Sequence, residues 1–388
     1  MTLSSAATFF RPSSHVAVGC YGSKLRTPHL DSMAAAGLRC TKYNSAHPIC
    51  SASRAAVLTG RYGLRCNTTG AFGPHSPTGT SLDETLLSNL FHEGSYKTKA
   101  FGKWHLGDAP EYLPTSRGFD SFYGVPYSVD VKPLPLLRDK TILEEETDRD
   151  ILTPRYTEEA VKYIQQNSGD PFFLYLAFSC PHDPARASTR FRNKTGFGYS
   201  GDSIAEIDWS VGEILRAVKT KGIASDTLVC FTSDHGPWYQ GSPGALRGRK
   251  ASTFEGGFRV PFVAQWPGSI HPGTVVDTWC SSLDILPTLS SLCGLSRPPK
   301  PLDGVDFSQI FSNPESRSSG SLGSTSVPCE TVDSTCIASE IRNGSCASPR
   351  EPKARSTSTT APPAPDEAHG CSIPNSTTSS AIPPKATM

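Results

Sequence analysis

The sequence predicts an α/β protein with a mainly parallel sheet sandwiched by helices. Three observations carry this. Phe172 to Phe178 is an unbroken apolar run after Asp170-Pro171, as expected of a strand covered on both faces. Asp202 to Lys221 carries apolar residues at 204, 207, 211, 214, 215 and 218, and Gly222 follows. That is the stripe of an amphipathic helix with a glycine stop. Leu228 to Phe231 then reads as a second short buried strand, ending at Asp234-His235. Strand, helix and strand in alternation imply a parallel sheet with helical crossovers. Ligands in such sheets bind beyond the carboxyl ends of the strands. His182 and Asp234 both follow predicted strands, at that end.

Met1 to Ser14 contains Ala6-Ala7-Thr8-Phe9-Phe10, then Arg11-Pro12. This run is too short for the apolar core of a signal peptide, and no basic segment precedes it. Cys50-Ser51-Ala52-Ser53-Arg54 opens an apolar run that reads as a helix. A helix start offers unpaired N–H groups and a positive dipole, which favour an anion. Arg54 adds a planar cation suited to a tetrahedral oxyanion. Ser81-Leu82-Asp83-Glu84 reads as a capping box before Leu86, Leu87, Leu90 and Phe91.

After Phe311 there is no Phe, Tyr or Trp, and Ser, Thr, Pro and Gly dominate. Residues 312–388 therefore read as a low-complexity tail that cannot offset its ordering entropy, and 1–311 as the folded domain. Cys329, Cys336, Cys346 and Cys371 leave a small disulfide knot as the alternative.

A net charge of +1 gives no reason to expect a nucleic-acid partner. No apolar run reaches the ~18 residues of a membrane span. Twelve cysteines in 388 residues permit disulfides without implying a disulfide-dense scaffold. Asn67, Asn193, Asn343 and Asn375 head glycosylation sequons, usable if the chain is exported.

Four segments in order carry a resemblance. Cys50 to Arg54, followed by Leu58-Thr59-Gly60-Arg61, resembles the sulfatase signature. Gly102-Lys103-Trp104-His105-Leu106-Gly107 is similar to the second signature of that family. Phe231 to Pro237 is similar to its second metal loop. Leu246 to Lys250, running into Glu255 to Pro261, is similar to the segment carrying its second active-site lysine. The resemblance spans roughly residues 19 to 311 and is nearest to arylsulfatase A-like members.

The resemblance implies an alkaline-phosphatase-like fold and hydrolysis of sulfate esters. It implies that Cys50 is converted to formylglycine by a formylglycine-generating enzyme. The aldehyde hydrate would attack sulfur and later expel sulfate. Arg54 and Lys103 would hold the hydrate, and His105 would help deprotonate it. His182 would donate to the leaving oxygen. Lys250 and Ser128 would contact the substrate, together with Lys103 and His182. Asp234, His235 and Cys50 would ligate a divalent cation, usually calcium. The resemblance also implies a secreted or lysosomal protein, and a smaller C-terminal antiparallel domain that has no counterpart after residue 311.

Two positions depart from the family pattern. Ala52 replaces the common proline, which is an accepted variant. More seriously, the family places two adjacent aspartates after its first strand, and no Asp or Glu occurs here before Asp31. The first strand and two metal ligands are therefore expected to be missing. His15 is a poor replacement for a hard calcium ligand. The alternative function is a catalytically impaired relative that binds without turnover. A phosphatase reading is weaker, because such relatives use Ser or Thr with two metals.

Overall fold

The structure, a computed structural model, describes residues 5–10 and 17–313. In chain order the strands are β1 (Ser5–Phe10), β2 (Leu38–Cys40), β3 (Tyr43–Asn44), β4 (Lys97–Lys103), β5 (Ser121–Val125) and β6 (Leu136–Arg138). They continue with β7 (Thr141–Glu144), β8 (Phe172–Ala177), β9 (Thr227–Thr232), β10 (Phe262–Gln265), β11 (Thr274–Val276) and β12 (Cys280–Ser281). The helices are α1 (Pro28–Ala35), α2 (Cys50–Thr59), α3 (Leu87–Glu93), α4 (Leu152–Asn167), α5 (Gly198–Thr220), α6 (Glu255–Phe258), α7 (Ile285–Cys293) and α8 (Gln309–Ser312).

Ten strands form one sheet in the order β11-β2-β10-β9-β1-β8-β4-β5-β6-β7. Its centre, from β9 to β5, is parallel, and antiparallel strands flank it. β8 shows why its sequence is continuously apolar. Phe172, Leu174 and Leu176 join a core with Leu30, Ile207 and Ile214 of α1 and α5. Phe173, Tyr175 and Ala177 join the opposite core with Leu58, Phe91 and Leu286 of α2, α3 and α7. Alternate side chains leave opposite faces of a strand, and helices cover both.

One expectation is corrected here. The first strand is not missing: β1 lies in the middle of the sheet, with Ser5 opposite both Phe172 of β8 and Thr227 of β9. Six residues without Pro, Gly or charge match an ordinary strand length. The slot between two buried parallel strands would otherwise leave two rows of backbone groups unpaired.

A second correction concerns α3. It starts at Leu87, six residues after Ser81, and Asn89 Oδ1 accepts from Leu86 N–H at 2.9 Å. Ser81 instead donates to Asp83 within an exposed turn. α5 follows the predicted stripe but begins earlier, at Gly198, and Gly222 follows with φ +72°.

Cys20, Cys40, Cys50, Cys66, Cys180, Cys230, Cys280 and Cys293 are free thiols. Asn67 and Asn193 are exposed. The predicted tail, with its four cysteines, Asn343 and Asn375, lies outside the described residues beyond Asn313. Among the described residues no helix is long and apolar enough to cross a membrane.

Candidate active site

The parallel strands point their carboxyl ends at one place. β4 ends on Lys103, Ser128 follows β5 by three residues, His182 follows β8 by five, and Asp234 follows β9 by two. Cys50 opens α2, whose N-cap residue Ile49 makes no side-chain cap. Gly102 allows Lys103 this position: its φ is +88°, and a Cβ would lie 1.9 Å from the Ala177 carbonyl oxygen of β8. His105 also takes a left-handed backbone, with φ +64°.

Cys50, Arg54, Lys103, His105, Asp234 and His235 are all buried. Arg54 and Asp234 form a fully buried ion pair, with Nε and Nη2 each 3.1 Å from Oδ2. Arg54 Nη1 also donates to the Lys103 carbonyl at 2.6 Å. This locks α2 to both β9 and β4. Lys103 Nζ donates to Ser128 Oγ at 3.0 Å. Ser128 Oγ lies 3.5 Å from His182 Nε2, and Lys250 Nζ donates to that nitrogen at 2.8 Å. His182 sits between two cis prolyl bonds, Cys180–Pro181 and Asp183–Pro184.

Three histidines are each tethered by one ring nitrogen to a carbonyl, which can only accept. His105 Nε2 donates to Phe72 O at 2.8 Å, His182 Nδ1 to Asp183 O at 2.7 Å, and His235 Nδ1 to Gly236 O at 2.8 Å. In each ring this leaves the other nitrogen facing inward. His235 Nε2 lies 3.1 Å from Cys50 Sγ. His105 Nδ1 is buried without a hydrogen bond of ordinary geometry.

Burial pushes the Cys50 thiol up, but Lys103, His235 and hydrogen bonds with His105 and His182 together bring it well below its usual range. Burial and then Lys103 push His105 down to about 4, so its ring is neutral across the neutral range. A cluster of cations around an acidic thiol is suited to an anion and a nucleophile.

The predicted residues Cys50, Arg54, Lys103, His105, Ser128, His182, Asp234, His235 and Lys250 thus come together. Asp31 does not join them. Its Oδ1 accepts from Cys20 N–H at 2.6 Å and from Thr27 Oγ1 at 3.1 Å. Two neighbours were missed from the sequence. Asp130 Oδ1 is 3.6 Å from His182 Nδ1. Its position two residues after Ser128 was an available signal. His47, pushed down to about 4 by burial and then by the charge of His235, borders the same site three residues before Cys50.

The Sulfatase family model matches residues 8–295. Arylsulfatase A of Bos taurus is 39% identical over 328 residues, covering 76% of this chain and 64% of that protein. N-acetylgalactosamine-6-sulfatase of Rattus norvegicus is 40% identical over 324 residues, covering 75% of this chain and 62% of that protein. The chain thus spans less than two thirds of the length of these curated relatives. Among solved structures, PsFucS1 sulfatase from Pseudoalteromonas sp. superposes with a TM-score of 0.72 at 27% identity, covering 80% of this chain and 72% of that one.

Proposed function

Because this chain belongs to the sulfatase family, we propose that it is a sulfuric ester hydrolase of the arylsulfatase type, working through a formylglycine made from Cys50. The observation that carries this reading is the convergence of Cys50 with Arg54, Lys103, His105, His182 and Lys250 beyond the carboxyl ends of the parallel strands. The family also implies a divalent metal. The relatives' names put aryl sulfates and sulfated amino sugars among the substrate classes. A formylglycine-generating enzyme is the implied partner, and an exported, glycosylated, lysosomal or secreted protein the implied setting.

Formylglycine, when present, supplies as its hydrate an oxygen nucleophile for sulfur and a second oxygen through which sulfate is released. The chain's own residues perform the remaining tasks. Lys103, Lys250 and Arg54 supply the positive field for the anionic sulfuryl group of the ester. His105 Nδ1, unprotonated because Nε2 carries the proton toward Phe72 O, is placed to take a proton at position 50. His182 Nε2 faces the Lys250 ammonium, and Asp130 stands behind the opposite ring nitrogen. That triad can hold a proton for the departing ester oxygen. Ser128 bridges Lys103 and His182 and sets their spacing.

Calcium does not fit the donor set. Calcium takes 6–8 oxygen ligands, whereas the metal-capable cluster among the described residues is Cys50, Asp234 and His235, with one carboxylate. β1 ends at Phe10, in register with Thr232 just before Asp234. The six residues that follow it in sequence contain no Asp or Glu.

Co-expression with the formylglycine-generating enzyme tests the proposal. Mass spectrometry of the tryptic peptide Tyr43–Arg54 should show the aldehyde, and the converted chain should release p-nitrocatechol from its sulfate. His182→Ala and Lys250→Ala should each cost on the order of 10²–10³ in kcat, the scale of losing one transition-state donor. Full conversion with no sulfate released from aryl or sugar sulfates would favour the binding-only alternative. Unmodified thiol in the presence of active maturase would overturn the formylglycine assignment.

A further inference from the structure

We propose that Trp238 and Tyr239 form an aromatic platform for the ring of the leaving group, so that the site selects sulfate esters of ring-bearing alcohols and phenols over open-chain ones. This deepens the hydrolase reading and rests on it for one point, the placement of the leaving oxygen beside His182 and Lys250.

The segment that follows β9 carries the inference. Asp234, His235, Gly236 and Pro237 are buried, and two large rings come next. Trp238 is 40% exposed and Tyr239 73% exposed. Their ring centroids are 4.8 Å apart and their planes meet at 76°. Two rings at that angle make a corner, in which a flat group can stack on one face and meet the edge of the other. Tyr and Trp also give large contact area at a low cost in side-chain entropy.

The corner is held on both sides. Lys250 N–H donates to Pro237 O at 2.8 Å. Arg249 Nη1 donates to Trp238 O at 3.1 Å and also to the Gly241 carbonyl. The Arg249 guanidinium lies 5.7 Å from the centre of the Tyr239 ring, a cation–π distance. On the other side Gln240 Nε2 donates to Asp183 Oδ1 at 2.9 Å. The two rings are thus tied to the segment bearing Lys250 and to the residue after His182. Such preorganisation lowers the ordering cost of binding.

The position relative to the chemistry selects the leaving group as the occupant. Lys250 Nζ is 2.8 Å from His182 Nε2 and 6.0 Å from the centre of the Trp238 ring. The sulfuryl group is drawn inward, to buried Cys50, Arg54 and Lys103. The organic group must then leave toward the exposed side, where the chain after Asp234 places Trp238 and Tyr239. An ester oxygen held by His182 and Lys250 brings its ring into the range of about 4.5–7 Å over which rings interact. An open-chain alcohol presents no flat face there.

The test compares p-nitrocatechol sulfate with ethyl sulfate, which has the same sulfuryl group and no ring. Calorimetric binding is measured on the full chain expressed without the formylglycine-generating enzyme, so that position 50 stays a thiol and turnover plays no part. The parent should bind the aryl ester more tightly. Trp238→Ala, shown folded by circular dichroism, should weaken the aryl ester about 2–10-fold, the scale of one aromatic pair, and leave ethyl sulfate unchanged. Trp238→Phe should keep most of the aryl affinity, and Tyr239→Ala should lose part of it. In the converted chain Trp238→Ala should raise KM for the aryl ester by a similar factor and leave kcat unchanged, as for a contact made equally in ground and transition states. A parent without aryl preference, an aryl affinity untouched by Trp238→Ala, or equal losses for both esters would each overturn the proposal. Equal losses would mean that Trp238 acts only through Lys250. If Trp238→Ala does not fold, Tyr239→Ala at the more exposed ring decides. A converted parent that turns over no sulfate ester would count against the hydrolase reading alone, because the binding comparison is read separately.

Discussion

Replacing Arg54 with methionine tests the buried ion pair that ties α2 to β9 and β4. Arg54 and Asp234 have side-chain exposures of 0% and 0%. Methionine fills much of the volume but removes both contacts to Oδ2 and the donor to the Lys103 carbonyl. What remains is a buried carboxylate that has lost its guanidinium partner. Breaking a buried pair from one side costs about 3–5 kcal/mol, and the orphaned carbonyl adds about 1–3 kcal/mol. For a domain of this size that is a fall in melting temperature on the order of 10 °C.

The control is Arg54→Met combined with Asp234→Asn, which removes the stranded charge and should recover a large part of the loss. Thermal melts of parent, both single variants and the double variant complete the cycle. The readout is stability of the thiol form, so a catalytic role for Arg54 does not confound it. If Arg54→Met lies within about 1 kcal/mol of the parent, or the two losses simply add, the pair is not the buried coupled unit described here.

Gly102→Ala should cost several kcal/mol, because its Cβ would meet the β8 backbone at 1.9 Å while holding a positive φ. A melting temperature near that of the parent would show that β4 can move aside. Glu206→Gln tests a titrating group away from the site. Burial lifts the Glu206 carboxyl from 4.5 to about 7, although Ser188 hydrogen bonds pull the other way. A raised carboxyl stabilises the fold below about pH 4.5, and that contribution is lost as pH rises through about 7. The melting temperature of Glu206→Gln relative to the parent should therefore climb from pH 4.5 to pH 7; a difference that falls or stays flat refutes the shift.

Much of the site was legible because its chemistry is clustered along the chain. Cys50 and Arg54 share one helical turn, Lys103 and His105 flank Trp104, and Asp234 adjoins His235. β8 and α5 were visible because helices cover both sheet faces, which leaves a continuous apolar run in one and a stripe in the other. β1 was not visible. Its pairing partners begin at Phe172 and Thr227, so nothing local marks Ser5 to Phe10 as a central strand. α3 was misplaced because Ser81 has the residue type of a cap, while the working cap is Asn89, reaching back to Leu86. Asp130 had only its closeness to Ser128 to mark it until its approach to His182 appeared, and His47 is tied to the site by the charge of His235, which tertiary structure brings near.

The central place of β1 has a consequence for biosynthesis. Ser5 pairs with Phe172 and Thr227, so the strand emerges from the ribosome well before either neighbour exists. At about 5–20 residues per second, that interval is on the order of ten seconds or more. During it, six residues of extended backbone must stay unpaired without meeting another nascent chain edge on. The sheet cannot close from one end. It must assemble its two wings and then take β1 between them, with the long loop-closure cost that such pairing carries. Folding yield in cells should therefore be most sensitive to whatever shields this segment during translation.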